Sequence, residues 1–154
     1  MRVDEVLARV NETPLQLRDL TALSPGETEI AMPPRQFSSR LRRAIETELT
    51  FQAARAQGVE LTPAQQKRVD RTGTDNVSDL EHYKQYGVTW SSVSAGQVEF
   101  EKRLLTAQLL EQNLVAKAAS VAPSPDPEAQ ARYEQARRNL LNQLQASANL
   151  SQPE

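Results

Sequence analysis

The chain has 154 residues, a formal net charge of −2 and a mean hydropathy of −0.60. Its 18 basic and 20 acidic side chains are spread along both halves, which excludes the basic surplus that nucleic-acid binding by counterion release requires. With no cysteine there is no disulfide, thiolate metal site or cysteine nucleophile, and no apolar run approaches the roughly 20 residues that cross a bilayer.

From the N-terminus, Val3 to Val10 is a short, partly β-branched run, and Asn11-Glu12-Thr13-Pro14 breaks it. Leu15-Gln16-Leu17 then alternates apolar and polar, so the start reads as a small β-hairpin or arm with Pro14 at the turn or on an edge. Two short strands are marginal alone, and another element must cover them. Arg18 to Leu23 has room for one helical turn, and residues 24–34, with Pro25, Gly26, Pro33 and Pro34, read as loop.

The period becomes helical from Arg35 to Gln57, where Phe37, Leu41, Ile45, Leu49 and Ala53 recur every four residues and Ala44, Glu48 and Ala56 fill i+3 sites. Gly58 stands where a left-handed residue ends a helix. Thr62-Pro63-Ala64-Gln65 is a capping box that starts a short polar helix to about Arg71, and Ser78-Asp79-Leu80-Glu81 is a second, starting a helix that Gly87 ends. The longest helix is expected from about Trp90 to Ala119. Its wide stripe (Val93, Phe100, Leu104, Ala107, Leu110 and Leu114, broadened by Val98, Leu105 and Leu109) requires several neighbours. Gly96 reads as a weak point within it, costing about 1 kcal/mol relative to alanine. The proline-rich stretch 120–127 leads to a last helix, capped by Asp126, with Ala129, Tyr133, Ala136, Leu140 and Leu144 on its apolar face. The expected fold is therefore mostly α: an irregular helical domain with one long central helix and a small N-terminal β-hairpin or arm. Residues 1–122 form the main body, 123–127 a proline linker, 128–146 a C-terminal helix completing the domain, and 147–154 a frayed tail.

Groups able to carry catalysis are few. His82 is the single histidine, far from the spacing of a metal site, and reads as a partly exposed helical residue. The sequence has no glycine-rich phosphate loop and no nucleophile elbow. Glu46/Glu48 and Glu99/Glu101, two residues apart, diverge on a helix and read as solvated faces. Arg35, Arg40, Arg42 and Arg43 cluster near a helix N-terminus. They suit either an anionic partner or a solvated face paired with Glu46 and Glu48. Tyr83, Tyr86 and Trp90 gather around Gly87, where they either rim an apolar groove or fill a thin core.

Three stretches carry a family resemblance. Val10-Asn11-Glu12-Thr13-Pro14-Leu15, continuing to Asp19-Leu20, resembles the opening motif of the SurA-type periplasmic chaperones and parvulin-linked foldases, Val-Asn-Gly-Glu-Pro-Ile-x-x-x-Asp-Leu. Glu48 to Thr62 is similar to the family's helix end, glycine and following cap, and Leu104 to Tyr133 to its long helix and the acid-capped helix that precedes the isomerase domain. Glu12 replaces the usual glycine, and the histidines and glycine-rich sheet of a parvulin domain are absent, so no isomerase residue carries over.

The resemblance implies a non-enzymatic chaperone domain that binds unfolded or nascent polypeptides; from the aromatic cluster and the long helix, Tyr83, Tyr86, Trp90, Phe100 and Leu104 are the candidate peptide-binding residues of an apolar groove, and no cofactor or metal is expected. It also implies a periplasmic or otherwise exported protein whose signal has been removed; a cytoplasmic location is the alternative. In the family a C-terminal segment returns to complete the N-terminal domain, the role expected here of Asp126 to Gln145. Two other readings stand beside this one. The first is an assembly module that binds one defined partner or self-associates through its arm or last helix. The second is the chaperone part of a larger peptidyl-prolyl isomerase.

Overall fold

A computed structural model describes residues 1–23, 26–72 and 90–151, with backbone alone over 90–95. The fold is mostly helical with a small N-terminal sheet. In chain order the described elements are β1 (Ala8–Val10), β2 (Thr13–Leu15), α1 (Leu17–Leu20), α2 (Pro34–Gln57), α3 (Pro63–Asp70), α4 (Trp90–Ala119), α5 (Pro127–Ser147) and β3 (Leu150–Ser151). The second capping box, from Ser78, and the helix expected to end at Gly87 lie outside the described residues.

The hairpin closes over Asn11-Glu12, with Val10 opposite Thr13 and Ala8 opposite Leu15. The family's glycine position is not needed for the turn, because Asn11 itself takes the left-handed conformation (φ 56°), which asparagine tolerates better than most residues. One correction falls at the other end of the chain. Instead of fraying, Leu150–Ser151 pair antiparallel with β1, giving a three-stranded sheet in the order β2-β1-β3. Asn11 joins the two chain ends: its amide donates to Asn149 O (2.7 Å), and its Oδ1 accepts from Asn149 N (2.9 Å).

Two apolar clusters fill the interior. In the first, Val10, Leu15, Leu17 and Leu20 from the hairpin and α1 pack against Leu41, Ala44 and Leu49 of α2. In the second, Ala53 and Ala54 of α2 meet Leu110, Leu114 and Val115 of α4 and Tyr133 and Leu140 of α5. Ala54, not Ala56, is the alanine buried near the end of α2. Leu144 of α5 touches both clusters. Local signals place the helix ends. Gly58 ends α2 at φ 66°, Thr62 and Gln65 cap α3 reciprocally (3.2 and 2.9 Å), and Asp126 Oδ2 accepts from Ala129 N (3.0 Å) at the start of α5.

Gly96 requires a second correction. It does not interrupt α4, and its missing side chain is a packing requirement: a Cβ there would lie 2.0 Å from the Leu23 carbonyl oxygen. The helix thereby accepts the chain leaving α1 at backbone contact.

Candidate functional site

Long-range polar contacts set how α4 lies against the rest. Gln52 of α2 reaches the hairpin, where its Nε2 stands 3.0 Å from Val10 O and 3.2 Å from Thr13 Oγ1, and its Oε1 accepts from Asn11 Nδ2 (2.6 Å). One turn earlier is Glu48, only 6% exposed. Its carboxylate takes Arg103 of α4 at 3.5 Å and Arg55 at 3.6 Å, and Arg103 also reaches Asp19 of α1 at 3.4 Å while stacking over the Phe51 ring at 4.9 Å. Glu48 is therefore not on a solvated face. It is the buried acid of a network that links hairpin, α1, α2 and α4. A buried carboxylate survives desolvation only with such partners.

At the far side of α4, Asn113 exchanges hydrogen bonds with Gln65 (3.0 and 2.8 Å) and donates to Glu60 O (3.0 Å), which fixes α3. Lys117 Nζ donates to Gln57 O (3.0 Å) at the end of α2. With both flanks tied, α2, α4 and α5 meet around a cleft of about 600 Å³ that their side chains do not fill.

Each wall of the cleft has a distinct origin. From α2 come Arg43, Glu46 and Thr47, one turn apart on the flank opposite the hairpin. From α4 come Leu104 and Leu105, both half-buried, with Glu101, Gln108 and Glu111 on the next turns. Pro123 closes one end, and Gln130, Tyr133, Glu134 and Arg137 face inward from α5. Arg137 Nε donates to Glu111, with Glu134 4.0 Å from the same guanidinium. Burial pushes the Glu111 carboxyl above its ordinary range, more than Arg137 pulls it down, while the bond to Glu111 holds the Arg137 guanidinium firmly charged. Tyr133 is 5% exposed, and burial together with the Glu111 charge raises its phenol to about 12. Its hydroxyl is thus a proton donor at any ordinary pH, and it has no hydrogen-bond partner among the described residues. The site combines an aliphatic floor, carboxylate acceptors and a phenol donor. That set suits holding a chain segment by its side chains and carbonyls.

The expected peptide-binding residues fall in different places. Tyr83 and Tyr86 lie outside the described residues, as does the side chain of Trp90, whose backbone opens α4; His82 is outside as well. Leu104 lines the large cleft, whereas Phe100, also half-buried, lines a smaller one of about 440 Å³ with Thr21, Leu23 and Arg103. Sequence reading missed Tyr133, Glu46 and Glu111 as site residues, because each lies on a helix face whose neighbour is set by tertiary packing. The pairing of the basic cluster also differs from the expectation. Arg40 donates to Thr21 Oγ1, and Arg35, Arg42 and Arg43 are exposed with no carboxylate within ion-pair distance among the described residues.

Among the described residues there is no cluster of three or more metal-ligating side chains, and no helix is long and apolar enough to cross a membrane. Compared with known proteins, the chain matches no family model, no curated protein and no solved structure.

Proposed function

We propose that this domain binds unfolded or nascent polypeptide in the α2/α4/α5 cleft, as a chaperone-like holder without catalysis, in the periplasm or another exported location. The observation that carries this reading is the cleft itself: about 600 Å³ between three helices, with half-buried Leu104 and Leu105 beside polar groups that retain bonding capacity. The return of α5 and β3 onto the N-terminal hairpin supports it further, since the SurA-type resemblance implies a domain completed by a C-terminal segment. Adaptable, partly apolar surfaces bind many sequences weakly, which suits a holder. The test is suppression of aggregation of a denatured model substrate, paired with an NMR titration of an extended apolar peptide. Suppression together with shifts in Leu104, Leu105 and Tyr133 is expected. No suppression at molar excess and no shifts overturns the reading.

A second reading, the assembly module, is favoured by one observation. Ser120, which ends α4 just ahead of the proline-rich linker, sits at φ 55°, a strained conformation for a non-glycine residue. Straightening there would relieve the strain and let the α5–β3 unit complete a second copy. Light scattering across concentration tests it, and a constant monomeric mass rejects it.

A further inference from the structure

We propose that the cleft selects segments in which apolar residues are flanked by lysine or arginine, an inference that rests on the peptide-binding reading above. Its wall carries four carboxylates, Glu46, Glu101, Glu111 and Glu134, against two guanidiniums, Arg43 and Arg137. Arg137 is engaged by Glu111 and Glu134, whereas neither Glu46 nor Glu101 has a cation within ion-pair distance among the described residues. Glu46 also stands close enough to Glu111 to raise that carboxyl further, so two acids repel one another across the space. Arg137 attracts Glu46 as well as Glu111 but stands beyond ion-pair distance of Glu46, which leaves that carboxylate, with Glu101, able to take an incoming cation.

The floor sets the rest of the pattern. Leu104 and Leu105, both half-buried, give the cleft its aliphatic part. The ring of Tyr133 is held in the wall, and its hydroxyl, unbonded among the described residues, meets the open cleft and can donate to a main-chain carbonyl. The occupant is therefore an extended segment with one or two aliphatic side chains on the floor and a basic side chain on each flank. Half-buried Glu46 discriminates between charges more sharply than exposed Glu101 does.

The test uses three synthetic peptides of equal length with one shared apolar core, flanked by Lys, Gln or Glu and titrated into the full chain by calorimetry. The Lys peptide is expected to bind roughly tenfold tighter than the Glu peptide at low ionic strength, with the gap closing at high salt. In a Glu46→Gln/Glu101→Gln double variant the gap between the Lys and Glu peptides should shrink. The salt dependence of the unaltered chain carries the test should that variant not fold. Equal affinity for all three peptides, or preference for the Glu peptide, overturns charge selection and leaves peptide binding standing. Absence of binding by all three overturns both.

Discussion

Arg103 and Glu111 stand on the same helix about 12 Å apart, and their surroundings treat charge in opposite ways. Around Arg103 the acids come from α1 and α2, Phe51 covers the guanidinium face, and Gln52 extends the network to the hairpin. These contacts join the hairpin, α1, α2 and α4, and of the buried side-chain polar atoms among the described residues Arg103 Nε is left without a partner. Around Glu111 the one ion-pair partner among the described residues is Arg137 of α5, the neighbouring Glu46 adds repulsion, and open space follows. Charge that joins several elements builds the frame. Charge beside the open cleft is left half-satisfied, and on the proposed function that is where a bound segment would engage.

Substitutions on the two sides should separate them clearly. Glu48→Ala leaves Arg103 with Asp19 only, and should cost about 3 kcal/mol in urea unfolding. Exposed Arg55 contributes little of that, so Arg55→Ala should change stability by less than about 1 kcal/mol. The contact between α4 and the chain after α1 gives the next largest effect. Gly96→Ala, which in an open helix would gain about 1 kcal/mol, should instead lose about 2 kcal/mol, because Leu23 must move. Asn11→Ala removes the bonds to Gln52 and to Asn149 and places alanine at positive φ, for a loss of about 1.5 kcal/mol by thermal unfolding.

The smallest effect belongs to the cleft and depends on pH. Burial raises the Glu111 carboxyl above its ordinary 4.5, so the folded chain holds that proton more tightly than the unfolded chain. The stabilisation from this proton is complete below pH 4.5 and is lost as pH rises through the raised value. Glu111→Gln should flatten that part of the stability profile while costing less than about 1 kcal/mol at neutral pH, since an amide still accepts from Arg137. A loss as large as that of Glu48→Ala would erase the distinction between the two sites.

Much of the frame was legible in the sequence. Four-residue spacing marked α2, Thr62/Gln65 and Asp126 marked two helix starts, Gly58 marked a stop, and the breadth of the α4 stripe announced several neighbours. The cleft was not legible, because it is a property of three helices together: Glu46, Glu111 and Tyr133 each have ordinary local surroundings, and of its lining Leu104 was anticipated as a binding residue. Glu48 did leave a trace, as an acid at an i+3 position of the apolar stripe, a face that turns toward the core. Gly96 showed only its cost in helix propensity, since the opposing Leu23 carbonyl comes from a distant stretch of chain. The strand at Leu150–Ser151 is too short for any alternation to declare itself.

The bond between Asn11 and Asn149 spans 138 residues. On a ribosome making this chain from its N-terminus, β1 would emerge long before the strand that flanks it. Until then the outer edge of β1 would stay open and the first apolar cluster would lack Leu144 and Ala148. Completion of the first cluster and of the sheet is thus deferred until residues 144–151 have been made, a contact order that slows folding.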